Sequence, residues 1–124
     1  MACCYVAEFE SFQELAKEFP NSTFTGSDIT NVFADFMANA PPNCTFLEAD
    51  TAKGLPFDDN TFDFVFERAN MTCFSNAVWP AVLRELIRVT KPGGYIELVE
   101  GCLPKNAGPA LTQHVDWCTY HSPC

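Results

Sequence analysis

A chain of 124 residues with 48% hydrophobic and 14% aromatic content predicts one folded domain with a modest core and argues against disorder. Sixteen acidic against seven basic side chains give a formal net charge of −9, a surface that repels phosphate backbones and argues against a nucleic-acid partner. No apolar run approaches the ~20 residues of a membrane span, so no membrane role is expected. The seven cysteines (Cys3, Cys4, Cys44, Cys73, Cys102, Cys118 and Cys124) are odd in number, form no C-x-x-C pair and follow no secretory apolar segment. They fit a reduced, cytoplasmic protein, and the sequons at Asn21, Asn43 and Asn70 carry no weight without a secretory route.

Along the chain, Phe9, Phe12, Leu15, Ala16 and Phe19 recur at helical spacing, with Glu8, Glu10, Glu14, Lys17 and Glu18 opposite, and Pro20 ends that helix. A strand over residues 23–29 follows. Val32, Phe33, Phe36 and Met37 suggest a short helix closed by Pro41-Pro42. Residues 44–49 form the next strand, and Gly54, Pro56 and Asp58-Asp59-Asn60 a loop. The apolar run at 62–67 is a further strand. Trp79, Val82, Leu83, Leu86 and Ile87 are the apolar stripe of a helix that Pro92-Gly93-Gly94 terminates, with a last strand at 94–99. Beyond it, only Ala110–Tyr120 has helical character.

Strands alternating with helices through short connections imply a parallel sheet covered on both faces. Ligands of such sheets bind outside the carboxyl ends of the strands. Asp28, Asp50, Glu67 and Glu100 fall at or just past four successive strand ends and should line one rim. Such a row of carboxylates suits a ligand rich in hydroxyl and amino donors, or a cationic one.

The wording of NCTFLEADTAKGLPFDDNTFDFVF and LRELIRVTKPGGYIELVE resembles class I methyltransferases that use S-adenosylmethionine, the likeness running from about Glu14 to Tyr120. It implies a three-layer, Rossmann-like α/β fold with a mostly parallel sheet. By resemblance, Asp28, followed by Ile29, ends the second strand and holds the ribose hydroxyls. Asp50 faces the adenine amino group, with Thr51 and Ala52 beside the ring. Glu67 and Arg68 line the methionine end and the substrate entry. The implied reaction is methyl transfer to an unidentified small-molecule or protein acceptor. No catalytic residue is assigned, Glu100 and His114 being the nearest candidates for deprotonating an acceptor.

The chain departs from the family where a hydrophobic-D-x-G-x-G-x-G stretch should precede the first helix. MACCYVAEFESF stands there instead, and no glycine precedes Gly26. The first strand with its glycine loop, and the last two strands, are therefore expected to be missing. Residues 1–124 read as a partial methyltransferase domain with impaired cofactor binding. Two alternatives stay open: a noncatalytic fragment or pseudoenzyme serving protein interaction, and a NAD-type dinucleotide-binding protein, whose second strand also ends in a ribose carboxylate. His114, Cys118, His121 and Cys124 share one helical face, but tetrahedral zinc sites draw on two elements, and no metal is expected.

Overall fold

The computed structural model describes residues 1–6, 9–31, 33, 38–70, 73–101, 108–109 and 112–113, with 3–6 and 9–11 described by their backbone. Five strands form one sheet: β1 (Ala2–Val6), β2 (Thr23–Asp28), β3 (Cys44–Glu48), β4 (Phe62–Arg68) and β5 (Thr90–Val99). Their order is β3-β2-β1-β4-β5, and every pairing is parallel. Helix α1 (Phe9–Glu18) follows β1, and α2 (Trp79–Val89) precedes β5.

The expectation of a missing first strand is corrected. Ala2–Val6 lies at the centre of the sheet, Cys4 in register with Thr25 on one side and with Val65 on the other. Five residues without a charge suit a strand flanked on both edges and covered on both faces. The glycine loop expected after such a strand has no counterpart in the sequence, since β1 ends at Val6 and α1 begins at Phe9.

Two cores sandwich the sheet. On the α1 side, Phe12, Ala16, Phe24, Phe33 and Phe46 are buried together, with Phe64 and Phe66 against them. The abundance of Phe is spent here: the Phe12 ring lies 5.7 Å from Phe24, edge-on, and 4.9 Å from Phe46. Gly26 makes room for this stack, because a Cβ there would stand 2.6 Å from Cδ1 of Phe46. On the other face, α2 contributes Val82, Leu86 and Val89 to a core with Leu55, Phe62 and Val65. The apolar stripes are narrower than the periodicity suggests, with Leu15, Phe19, Leu83 and Ile87 exposed.

Pro92-Gly93-Gly94 does not terminate α2. The helix ends at Val89 and Thr90 is already extended, its hydroxyl donating to the Leu86 carbonyl at 2.6 Å. The Lys-Pro-Gly-Gly segment lies inside β5 as a bulge, where register passes from Phe62↔Thr90 to Phe64↔Tyr95. Gly93 has φ +82, and a Cβ on Gly94 would stand 2.8 Å from the Asp63 carbonyl oxygen and 3.0 Å from that of Lys91. Both obstacles are main-chain atoms. Gly94→Ala is therefore expected to destabilise the protein by about 1–3 kcal/mol, the usual range for overpacking. Urea denaturation would register this as a lower midpoint, and an unchanged midpoint would contradict the bulge.

The expected short helix at 32–37 lies outside the described residues except for Phe33, which packs in the α1-side core. The Ala110–Tyr120 helix falls almost wholly outside them, as do His114, Cys118, His121 and Cys124. Among the described residues no group of three or more His, Cys, Asp or Glu could hold a metal, and no helix is long and apolar enough to cross a membrane.

Candidate functional site

At the carboxyl rim, β2 and β3 end side by side. Asp28 pairs with Glu48, and the Ala49 N–H donates to the Asp28 carbonyl at 2.8 Å, carrying the ladder one step past β3. The Asp28 carboxylate is oriented locally: Oδ1 accepts from the Thr30 N–H at 2.9 Å and the Thr30 hydroxyl at 3.0 Å. Asp50 makes a similar turn, its Oδ1 accepting from the Ala52 N–H at 3.0 Å, while Oδ2 meets the Lys53 ammonium at 3.0 Å. That ammonium is the main cause holding the Asp50 carboxyl below its ordinary value. The Lys53 side chain is 83% exposed, so this ion pair is weak and gives way readily to a ligand.

The third wall comes from the end of β4. Ala69 adopts φ +59, a left-handed conformation unusual for a residue with a Cβ, and its N–H donates to the Val99 carbonyl at 3.0 Å. This turn leads the chain out of β4 into Asn70. The Asn70 carbonyl then accepts from the Cys73 N–H at 2.9 Å, and Phe74 meets Trp79 edge-on at 5.4 Å.

Together these segments enclose a cavity of about 140 Å³ lined by Asp28, Ile29, Ala49, Asp50, Thr51, Asn70, Cys73 and Phe74. Four of the seven residues expected at a cofactor site, Asp28, Ile29, Asp50 and Thr51, are brought together in that wall. Ala52 instead packs against the α2-side core. Glu67 and Arg68 close β4 without lining the cavity. Ala49, Asn70, Cys73 and Phe74 were not expected. The strand-end rule could have included Ala49 and Asn70, which flank strand ends, but nothing in the sequence marks Cys73 or Phe74.

Beside the cavity lies a second group. Glu67 is fully buried, and by alternation from Val65 its side chain points to the α2 side of the sheet. Among the described residues, no well-aligned hydrogen bond reaches the Glu67 oxygens, Asn70 Nδ2, Ser27 Oγ or Glu100 Oε2. Glu100 is tied in through Oε1, which accepts the Asn70 N–H at 2.9 Å. Burial, then the neighbouring Glu100 carboxyl, pushes the Glu67 carboxyl up to about 7, against a smaller opposing effect of the Asn70 side chain. The Glu100 and Asn70 side chains are thus the polar neighbours of the buried Glu67 carboxyl.

Residues 10–94 match the family described as a methyltransferase domain, well over half of the chain. The chain belongs to this methyltransferase family. It is 35% identical over 92 residues to the N-methyltransferase verN of Clonostachys rogersoniana, covering 73% of this chain and 32% of that protein. The ubiquinone/menaquinone biosynthesis C-methyltransferase UbiE of Idiomarina loihiensis is 38% identical over 82 residues, covering 64% of this chain and 30% of that protein. The methyltransferase domain thus spans about a third of the curated relatives it matches. Among solved structures, a SAM-dependent methyltransferase of Methanosarcina mazei superposes with a TM-score of 0.73 at 21% identity, over 97% of this chain and 59% of that one. At that identity the likeness establishes the shared Rossmann-like fold. The family match begins after β1, so the central strand of this methyltransferase domain, Ala2–Val6, lies before the matched stretch.

Proposed function

We propose that the protein serves S-adenosylmethionine-dependent methyl transfer, and that the cavity between the ends of β2, β3 and β4 receives the adenosine part of the cofactor. One observation carries the proposal: Asp28 at the end of β2 and Asp50 just past β3 bound the same cavity with the apolar side chains of Ile29, Ala49 and Phe74. Two carboxylates in the wall of a largely apolar cavity match a nucleoside, which presents vicinal hydroxyls at the sugar and an amino group on the base. Asp28, fixed through one oxygen by Thr30, accepts from the ribose hydroxyls. Asp50 accepts from the adenine amino group as Lys53 swings away, with Thr51 beside the ring. Glu67 and Arg68, at the end of β4, stand toward the methionine end.

When bound, S-adenosylmethionine supplies an electrophilic methyl group on a cationic sulfur. What the chain itself provides is position and exclusion of water rather than a nucleophile. The family relationship favours this reading over dinucleotide binding, in which a ribose carboxylate would serve equally well.

The residues fit the adenosine half of the cofactor better than the methionine half. The cavity is smaller than the ~300–1,000 Å³ of ordinary small-molecule sites, and no glycine loop brings backbone amides to the methionine carboxylate. Weak binding is expected, because several hydrogen bonds of about 0.5–1.5 kcal/mol each are forgone. Calorimetric titration with S-adenosylhomocysteine should give a dissociation constant weaker than micromolar. Asp28→Ala should weaken it by roughly tenfold, the value of one strong charge-assisted hydrogen bond. Equal affinity in Asp28→Ala would remove the ribose assignment.

A further inference from the structure

Asn70 belongs to two neighbourhoods at once. It lines the cavity with Asp28 and Asp50, and it is held from behind by Glu67 and Glu100, neither of which lines that cavity. Glu100 Oε1 accepts the Asn70 main-chain N–H at 2.9 Å, and the Asn70 side chain is a polar neighbour of the Glu67 carboxyl. The turn that delivers Asn70 is left-handed at Ala69, a conformation that persists only where the surroundings fix it. Here the fixing contacts are the Ala69 N–H on the Val99 carbonyl and the Asn70 N–H on Glu100. The end of β5 therefore sets where this wall of the cavity stands.

We propose that Glu67 and Glu100 are positioning residues for the nucleoside cavity: a proton on Glu67 keeps Glu100 on the Asn70 N–H, and its loss releases that wall. This rests on the reading of the cavity as the adenosine site. With the proton, the Glu67 carboxyl donates to the Glu100 carboxylate while that carboxylate accepts from Asn70, and the three groups satisfy one another. Without it, two acceptors face each other around a fully buried carboxylate, where like charges repel more strongly than in water. Glu67 is fixed inside β4, whereas Glu100 lies past the end of β5 and is partly exposed. Relief comes from outward movement of Glu100, which breaks its bond to Asn70. Val6 and Leu98 stand in register with Glu67 on either side, and α2 presents Val82, Leu86 and Val89 to this face, its Glu85 and Arg88 pairing with each other. Among the described residues, Glu100 is the charged group that acts on the Glu67 carboxyl.

The test is calorimetric titration of the full chain with S-adenosylhomocysteine at pH 6 and pH 8. With Glu67 titrating at about 7, about nine in ten molecules carry the proton at the lower pH and about one in ten at the higher, so affinity should fall roughly tenfold. In Glu67→Gln, which cannot ionise, the two affinities should agree within about twofold, whatever their level. Equal affinities in the unaltered chain would overturn the proposal and leave the adenosine assignment standing. A tenfold change that survives in Glu67→Gln would do the same, since the dependence would then belong to a histidine or to the ligand. If no binding is measurable at either pH, the Asn70 main-chain amide of the ligand-free protein decides. Its resonance should move with a midpoint near pH 7, which would sustain the positioning pair while removing the adenosine reading; a resonance that does not move would overturn the proposal. If Glu67→Gln fails to fold, the Glu67 carboxyl ¹³C resonance of the unaltered chain takes its place. It should share one midpoint with the Asn70 amide, and separate midpoints would overturn the proposal.

Discussion

Glu67→Gln is expected to stabilise the protein at pH 8 by roughly 3 kcal/mol and to leave it nearly unchanged at pH 4. The carboxyl is fully buried, and burial and Glu100 raise it from an ordinary 4.5 to about 7. Below pH 4.5 the group is protonated in both the folded and unfolded chain, so folding is not penalised. Between 4.5 and about 7 the unfolded chain gives up its proton first, and stability falls as pH rises. Above 7 the loss is complete and constant. Glutamine keeps the shape, cannot ionise, and can donate its amide to Glu100. Urea midpoints at pH 4 and pH 8 for both proteins would measure the effect. Parallel pH profiles would show that Glu67 is hydrated in solution.

Phe12→Ala should cost about 3–5 kcal/mol, the range for emptying a buried aromatic position. Phe12 has no exposed surface and joins α1 to β2 and β3 through Phe24 and Phe46. Its removal leaves the phenylalanine stack without its central ring, and Gly26 opposite has no side chain to fill the space. Natural domains hold only about 5–15 kcal/mol in total, so the variant should lie close to unfolding at room temperature. Chemical denaturation followed by near-ultraviolet circular dichroism would measure it. A loss below about 1 kcal/mol would mean that α1 is not docked on the sheet.

The strands β3 and β4 are legible as short, largely apolar runs and β2 as a Thr- and Phe-containing run set between Asn21-Ser22 and Thr30, and their observed ends differ from the expected ones by a single residue. The central strand was hidden in plain view. ACCYV has the uncharged run of a buried strand, but the glycine loop normally used to recognise it is absent. Pro92-Gly93-Gly94 misled for a physical reason: the same residues that stop a helix also make a bulge, and the distinction depends on the carbonyls of Asp63 and Lys91, which no local pattern encodes. Asp28 and Asp50 followed from the rule that ligands bind at strand ends. Cys73 and Phe74 did not, because they reach the cavity through a loop whose path is set by the left-handed turn at Ala69. The complete burial of Glu67 is likewise a tertiary fact, since in sequence it is one more carboxylate at a strand end.

The central claim is that the rim bounded by Asp28 and Asp50 is the cofactor side of this methyltransferase domain. Backbone amide shifts of the protein on titration with S-adenosylhomocysteine test it most directly. The largest changes are expected at Asp28, Ile29, Asp50, Thr51 and Asn70, saturating together with one dissociation constant. Changes centred on Asn60, Lys91 and Gly94, which line a separate depression near the start of β5, would contradict it.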